Sequence, residues 1–273
     1  MANRPVFIPK LTVPYYFIWN GEFEWNRGLS ASQKQKNVTA LHKAFTMCYP
    51  SKKVLEISSK SMQEGGVELS AFSLKKLVPS LGKAVPVENV YQAGKYFAKG
   101  GPYLDLLETT PRAAKGDERL RNSGPVRGFR YEGYAFPLYP TNAFYDYLYI
   151  NALCENPSLS KILLEYDAFT DVEFNREKSL NCQARAAAIF VSLHQLGLLN
   201  KVKTPEDFTA LFGKKSEIST PKPQEEEKTS HTVKEGDKII HSVWGQGKVV
   251  AVDKTRVKIF FPSVDEKSLA HLV

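Results

Sequence analysis

Apolar and polar positions divide the first 212 residues into strand and helix segments that follow no regular order. The first 27 residues are rich in aromatic side chains interrupted by prolines, a pattern typical of extended segments and turns packed on a core. Two short apolar runs, 54–58 and 67–72, predict strands on either side of a turn at Gly65-Gly66. Because strand and helix signals do not alternate, we expect an α+β fold in which helices dominate.

Helical spacing of apolar residues predicts the helices of this region. Ser30 or Ser32 is placed to cap a first helix that runs through Leu41. Further helices are expected at about 87–98, 142–154, 157–166 and 181–197. The helix at 181–197 is apolar on most sides, which predicts that it is the central buried helix.

The composition of the chain changes after residue 212. Residues 213–233 contain almost no apolar side chains, two prolines and a charged run, so they predict a flexible linker. Residues 234–273 follow with β-branched runs at 238–241, 247–252 and 256–261, separated by turn signals. We therefore expect one domain at 1–212 and a small all-β, SH3-like barrel at 234–273.

Charge favours a polyanionic partner. The 273 residues include 37 Lys and Arg against 29 Asp and Glu, a net charge of +8. Such an excess favours nucleic acid as a partner through neutralisation of phosphates, although an ordinary basic protein without such a partner is the alternative.

Several classes of protein are not favoured by the sequence. The chain has no apolar run of membrane length and no signal-peptide pattern at its start, so we expect a cytoplasmic protein with no membrane partner. Its 3 cysteines and 5 histidines are scattered, which favours neither a disulfide framework nor a metal centre, and we expect no cofactor. Motifs of phosphate-loop, dinucleotide-binding, zincin and α/β-hydrolase sites do not occur.

The predicted helix at about 87–98 carries the most informative polar pattern. Glu88, Gln92 and Lys95 lie at i, i+4 and i+7 and form one polar stripe. A carboxylate and an amine presented together at the wall of a cleft are suited to proton transfer. The alternative is an ordinary amphipathic helix whose polar stripe faces water.

A second pair of carboxylates follows the segment 166–170. If this stretch is extended, Asp171 and Glu173 point to the same side, which is one way to build an acid–base site. The alternative is the edge of a strand that faces solvent.

Two polar segments are suited to phosphate or ribose. Arg112 and Lys115 lie beside a predicted turn and could hold phosphates, or belong to a plain surface loop. Ser58 and Ser59 lie at a polar strand end that could bind a ribose or phosphate, or simply form a turn.

Taken together, these segments resemble the NADAR family of N-glycosidases. Ser70-Ala71-Phe72 followed by residues 88–97, ENVYQAGKYF, is similar to the family elements S-N-F and E-H-x-x-Q-A-x-K-F. Residues 112–117, 156–164 and Asn181 resemble later family elements. This chain departs from the pattern at Ala71, at Asn89, and at 171–175, which replaces a W-G-D-G segment. Segments 55–61 and 169–174 look closer to the subfamily that serves as antitoxin to the DNA-modifying toxin DarT.

The resemblance implies an enzyme, a hydrolase that removes ADP-ribose from the exocyclic amine of guanine in DNA. Its implied partners are ADP-ribosylated single-stranded DNA and the cognate DarT-like toxin. The implied catalytic residues are Glu88, Asp171 and Glu173, assisted by Lys60 or Lys95. The implied substrate-binding residues are Ser58, Ser59, Ser70, Phe72, Gln92, Arg112, Lys115 and Asn181. Trp19, Trp25 and Tyr91 could offer stacking surface for bases, although core positions are the alternative.

The tail has a resemblance of its own. Residues 236–250 resemble the Tudor/SH3-like module of UvrD-type helicases, with Trp244 in place of a Phe. This likeness implies docking to nucleic-acid machinery. Two other functions stay open: an N-glycosidase of a small ribosylated metabolite, of the riboflavin-intermediate type, and a non-catalytic antitoxin or adaptor.

Overall fold

The computed structural model describes residues 1–28, 30–140, 142–175, 181–213, 235–236, 238–241, 245–252, 256–261 and 265–270. The chain divides into two compact units, 1–217 and 218–273. The predicted linker at 213–233 lies, apart from Gly213, outside the described residues, so it stays a prediction. None of the described helices is both long and apolar enough to cross a membrane.

The first unit mixes nine strands with eight α-helices among its described residues. Its strands are β1 (Ala2–Pro9), β2 (Tyr16–Phe23), β3 (Val54–Glu56), β4 (Lys75–Val78), β5 (Lys83–Pro86), β6 (Lys95–Phe97), β7 (Val126–Tyr131), β8 (Tyr134–Phe136) and β9 (Ala168–Thr170). Its helices are α1 (Ala31–Cys48), α2 (Val87–Ala93), α3 (Pro111–Gly116), α4 (Arg119–Asn122), α5 (Ala143–Glu155), α6 (Pro157–Leu163), α7 (Gln183–Gln195) and α8 (Pro205–Ala210). Short 3-10 turns occur at Pro79–Leu81, Leu104–Glu108 and Leu199–Val202. The expected α+β class is confirmed.

A four-stranded mixed sheet in the order β2-β1-β9-β3 organises this unit. β1 pairs antiparallel with β2 and with β9, whereas β3 runs parallel to β9, with Glu56 opposite Thr170. Because β3 and β9 are parallel, their carboxyl ends meet at one edge of the sheet. The segments that leave these two strands therefore start side by side.

Helix α7 is the central helix, as its apolar composition predicts. All ten residues from Ala184 to Leu193 are buried, and the helix packs against β1 and α5. Arg185 is the one cation in this stretch, and its guanidinium donates to both carboxylate oxygens of Asp146 on α5 at 2.8 and 2.9 Å. Pairing of this kind makes a buried charge tolerable.

The cap of the first helix and the strands near the amino terminus also follow the prediction. Ser30 caps α1, its hydroxyl accepting a hydrogen bond from the Gln33 N–H at 3.3 Å. The aromatic segment of the first 27 residues forms β1 and β2. The predicted helices at 142–154, 157–166 and 181–197 correspond to α5, α6 and α7 within a few residues.

The predicted strand at 67–72 is wrong, because this segment forms turns. The Leu74 N–H donates to the Ser70 carbonyl at 2.7 Å, and the Ser70 hydroxyl donates to the Val67 carbonyl at 2.7 Å. Such local bonds from serine compete with the pairing of a strand. The apolar residues of the segment pack inward all the same, with Leu69 and Ala71 buried.

The helix predicted at 87–98 is too long, since α2 ends at Ala93. Lys95 already belongs to β6, where it pairs with Phe129 of β7. Gly94 makes this change of direction possible: a Cβ there would lie 2.8 Å from the Phe144 ring and 2.9 Å from the Arg130 carbonyl oxygen. Only glycine fits so close an approach of two backbones.

The second unit contains a sheet of four antiparallel strands in chain order. They are β10 (Lys238–His241), β11 (Gly245–Val252), β12 (Arg256–Phe261) and β13 (Asp265–Ala270). The first three correspond to the predicted runs, while β13 was not predicted. Among the described residues no pairing joins β10 to β13, so closure into an SH3-like barrel stays a prediction.

Candidate active site

A cavity of about 580 Å³ opens in the first unit where the segments after β3 and β9 meet. Its lining residues come from those two segments, from the turn at 70–72, from the segment after β8, and from α2, α3, β6, β7, α5 and the start of α7. A volume of this size is typical of a site for a small molecule or a single nucleotide. Eleven of the thirteen residues proposed from the sequence line it: Ser58, Ser59, Ser70, Phe72, Glu88, Gln92, Lys95, Lys115, Asp171, Glu173 and Asn181.

One wall of the cavity carries a hydrogen-bonded row of three side chains. The Gln92 Nε2 donates to Glu88 Oε1 at 2.8 Å, and Lys95 Nζ donates to Gln92 Oε1 at 2.7 Å. Glu88 and Gln92 are each only 6% exposed, so the alternative of a stripe that faces water is wrong for them. The row joins a buried carboxylate to an amine through one amide.

The amine of Lys95 lies in a confined place. Its Nζ is 4.6 Å from the centre of the Tyr91 ring. Burial lowers the pKa of Lys95 to about 8; the Glu88 carboxylate opposes this shift, and the nearby Lys115 ammonium adds to it. Lys115 itself lies 3.9 Å from Glu88 Oε1 and over the ring of Phe72 at 5.2 Å. The site thus holds one amine that releases its proton close to neutral pH.

Two further carboxyl groups of the cavity, those of Asp171 and Glu173, come from the segment after β9. The structure corrects the expectation of an extended strand here, because β9 ends at Thr170 and a turn follows. Asp171 Oδ1 accepts from the Glu173 N–H at 3.2 Å, and Asp171 Oδ2 accepts from Gln183 Nε2 at 3.1 Å. Both carboxylates nonetheless line the cavity.

Asp171 and Glu173 differ in their surroundings. Burial raises the pKa of Asp171, and the negative charge of Glu56 behind it acts in the same direction. Glu173 forms an ion pair with Lys34 at 3.2 Å and is 43% exposed. Two neighbouring carboxyl groups in unlike environments are suited to separate roles as acid and as base.

Gln183 and Asn181, at and just before the start of α7, form hydrogen bonds with other segments that line the cavity. Gln183 accepts from the Ala71 N–H at 2.7 Å and donates to the Ile57 carbonyl at 2.5 Å, so one side chain fixes two loops. Asn181 hydrogen-bonds the Tyr91 hydroxyl, and burial raises the pKa of that phenol to about 12.

The sequence did not point to seven of the lining residues. They are Ala71, Val126, Phe129, Leu138, Tyr145, Phe174 and Gln183, while Tyr91 was considered only as a stacking surface. Most are apolar or aromatic residues that resemble core positions. For Gln183 the only available signal was its place at the start of the predicted buried helix.

Two residues proposed from the sequence lie outside the lining of the cavity. Lys60 donates to the Ser59 hydroxyl at 3.0 Å, and Arg112 is exposed on α3. Trp19 and Trp25 also lie elsewhere: Trp19 packs edge-on against Phe45, and Trp25 packs beside Phe23. Within the described ranges, no cluster of three or more His, Cys, Asp or Glu side chains could hold a metal ion.

The profile of the DarT1-associated NADAR antitoxins matches residues 2–222. The chain belongs to this family. A search of curated proteins found no match. The matched range contains the whole lining of the cavity, and membership supports a role as antitoxin with a DarT toxin as its partner. The match ends at residue 222, before the four strands of the second unit, so the likeness of the tail to UvrD-type helicases gains no support.

Proposed function

We propose that the protein is an N-glycosidase that removes ADP-ribose from the exocyclic amine of guanine in single-stranded DNA, and so reverses the modification made by a DarT toxin. One observation carries the proposal. The cavity brings the carboxylates of Glu88, Asp171 and Glu173 together with the amines of Lys95 and Lys115, from segments far apart in the chain. Family membership supports the antitoxin role.

Carboxylates alone supply one complete route. Cleavage breaks the bond from C1 of the ribose to the guanine amine, which needs a proton on the leaving nitrogen. Asp171, whose pKa is raised by burial, is suited to donate that proton. Glu88 places negative charge beside the developing oxocarbenium ion, and Glu173 accepts a proton from the water that adds to C1. The products are free ADP-ribose and unmodified guanine.

Lysine supplies a second route through a covalent intermediate. The ribose ring opens, its ring oxygen takes up a proton, and C1 becomes doubly bonded to the guanine nitrogen. A neutral amine then adds to C1, the guanine amine leaves, and a Schiff base to lysine forms, which water hydrolyses. With a pKa of about 8, roughly one tenth of Lys95 is neutral at pH 7. Because Lys95 lines the cavity and Lys60 does not, the contacts favour Lys95.

The remaining polar and aromatic groups are suited to hold the substrate. Lys115 lines the cavity with its side chain 60% exposed, where it can meet the diphosphate, and Arg112 on the same helix can assist from outside. Serines 58, 59 and 70 and Asn181 offer hydrogen bonds to ribose hydroxyls, and the rings of Phe72 and Tyr91 offer apolar faces. A cavity of about 580 Å³ takes one nucleotide-sized group, so the modified base must be unpaired or extruded.

The test is release of ADP-ribose from an oligonucleotide that carries ADP-ribosylguanine, followed by mass spectrometry. Glu88→Gln should lower kcat/KM at least 100-fold, about 3 kcal/mol in the barrier. Glu108→Gln is the matched control, because Glu108 is exposed and pairs with Lys83 outside the cavity.

The same assay separates the alternatives. Cleavage of a small ribosylated metabolite but not of the oligonucleotide would favour the metabolic glycosidase. No cleavage of either substrate, with retained protection against the toxin in cells, would favour a non-catalytic antitoxin. A gene for a DarT-like toxin beside this one would support the antitoxin pairing.

A further inference from the structure

A fully buried carboxylate lies behind the cavity at the end of β3. Glu56 is 0% exposed and is flanked by the apolar residues Leu55 and Ile57. Burying a charge in such a place is costly unless hydrogen bonds compensate it. Glu56 is not among the residues proposed for the site, and it is absent from the cavity lining.

Hydrogen-bond donors surround both oxygens of Glu56. Oε1 accepts from the Val172 N–H at 3.0 Å, and Oε2 accepts from the Thr170 hydroxyl at 2.6 Å. The Ser58 side chain also hydrogen-bonds this carboxylate. Such a set of donors favours the ionised form of the group, even though burial raises its pKa.

These donors belong to the two segments that carry the site. Ser58 follows β3 and lines the cavity, while Val172 lies between Asp171 and Glu173, which line it too. One carboxylate therefore ties the two segments together from behind. It fixes where Asp171 stands relative to Ser58.

His42 on α1 completes this buried set. Its Nε2 lies 2.8 Å from the Thr170 hydroxyl oxygen. That hydroxyl has one proton, which it gives to Glu56, so His42 Nε2 must be the donor toward Thr170. Burial lowers the pKa of His42 to about 4, so the imidazole is neutral and adds no counter-charge.

We propose that Glu56 is a positioning residue, whose ionised carboxylate fixes the segment 170–172 and whose negative charge favours the protonated form of Asp171. The inference rests on the proposed function, in which Asp171 gives a proton to the leaving amine. Three groups donate to Glu56, whereas Asp171 accepts from the Gln183 amide and the Glu173 N–H, so of these two carboxyl groups Asp171 is the better suited to hold a proton.

Other charged or titratable groups face Asp171 as well. Glu173 also favours its protonated form, and Lys115 and the Glu173 N–H oppose that. The charge of Glu173 is weakened by its pairing with Lys34 and by solvent. Tyr145, Tyr149 and Cys182 also lie close, and burial raises the pKa of each, so they are neutral near pH 7. Glu56 is thus the main buried negative charge beside Asp171.

The test measures the ionisation of Asp171 directly in the full chain, by NMR of carboxyl-¹³C aspartate. The Asp171 signal is assigned by its loss in Asp171→Asn. In Glu56→Gln we expect the midpoint of this signal to fall by about one pH unit, and the pH profile of kcat to shift the same way. Asp146→Asn is the control, since Asp146 is a buried carboxylate that pairs with Arg185 outside the cavity.

A milder pair of variants at Thr170 tests the same inference if Glu56→Gln fails to fold. Thr170→Val removes the hydroxyl that donates to Glu56 and should lower the Asp171 midpoint by a smaller amount, because Glu56 then shares more of the proton. Thr170→Ser keeps the hydroxyl and should preserve the midpoint. An unchanged midpoint in Glu56→Gln, or equal midpoints in the two Thr170 variants, overturns the inference. Absence of ADP-ribose release by the wild type, with the NMR shifts present, overturns the proposed function alone.

Discussion

Lys95 Nζ donates to Gln92 Oε1 at 2.7 Å, although the two residues belong to different elements, a strand and a helix. The bond fixes the orientation of the Gln92 amide, so its Nε2 faces Glu88. The Gln92 side chain therefore links the Lys95 amine to the Glu88 carboxylate by two hydrogen bonds. This relationship predicts the first of four outcomes.

Replacing Gln92 should impair the reaction more than it impairs the fold. Gln92→Met keeps the volume but leaves the buried Glu88 without its amide donor. We expect kcat/KM to fall about tenfold, ~1.4 kcal/mol in the barrier, and the free energy of unfolding to fall by about 1 kcal/mol. Steady-state kinetics and urea unfolding measure the two effects. Gln195→Met, an exposed glutamine on α7, is the control, and equal rates for the two variants would contradict the prediction.

The pH dependence of the rate tests the lysine route. The pKa of Lys95 is lowered to about 8, so the neutral amine increases as pH rises through 8. If this amine attacks C1, kcat should rise through the same range and level off above it. Borohydride added during turnover should leave an adduct of ADP-ribose mass on Lys95.

Lys95→Arg and Lys60→Arg form the matched pair for this experiment. Arginine stays charged, so Lys95→Arg should abolish both the adduct and the rise in kcat. Lys60→Arg should keep both. An adduct on Lys60 would reverse the assignment, and an active wild type without any adduct would leave the carboxylate route alone.

The sequence predicts the side chains that line the cavity better than it predicts the elements that carry them. The residue types of the E-x-x-x-Q-A-x-K motif point to Glu88, Gln92 and Lys95, yet the helical spacing that suggested one stripe fails after Ala93. Lys95 meets Gln92 because Gly94 lets the chain turn into β6 under the Phe144 ring. A tertiary contact of this kind leaves no local periodicity to detect.

Glu56, by contrast, is a residue whose contacts could not be predicted from the sequence. It lies within a short apolar run, where the sequence predicts only a buried strand. Its role depends on Val172 and Thr170, more than a hundred residues away in the chain. The only local signal was the carboxylate itself, placed where burial would be costly without partners. By contrast, the buried helix α7 was predictable, because its apolar composition needs no distant partner to be recognised.

The buried carboxyl group of Asp171 should lower the free energy of unfolding at pH values where the unfolded chain is ionised. Its pKa is raised in the folded protein, so the unfolded chain gives up this proton at lower pH than the folded chain does. Stability is therefore lost as pH rises above the unfolded pKa, and the loss is complete above the folded pKa. Asp171→Asn removes this term and should raise the free energy of unfolding by about 1 kcal/mol at pH 8.

Most of the gain in Asp171→Asn should be lost near pH 4, where the folded state holds the proton and roughly half of the unfolded chains do. Thermal unfolding at the two pH values measures it, and the rate of ADP-ribose release should fall at the same time. Asp207→Asn, an exposed acid at the start of α8, should show no such pH-dependent gain. A gain of equal size at pH 4 and pH 8 would point to packing rather than to the charge.

The second unit should be dispensable for turnover. All candidate catalytic residues lie in the first unit. Two contacts near Gly213 hold the end of its described part: Leu211 accepts from the Tyr15 hydroxyl at 2.8 Å, and Phe212 packs edge-on against the Tyr15 ring at 5.5 Å. A chain that ends at Gly213 keeps both contacts, so its kcat on a short modified oligonucleotide should match the full chain. A loss above tenfold, ~1.4 kcal/mol, would contradict a separate role for the tail in docking. A chain that ends at Thr204 is the informative comparison, because it also loses α8 and the fully buried Phe208, and its unfolding temperature should drop.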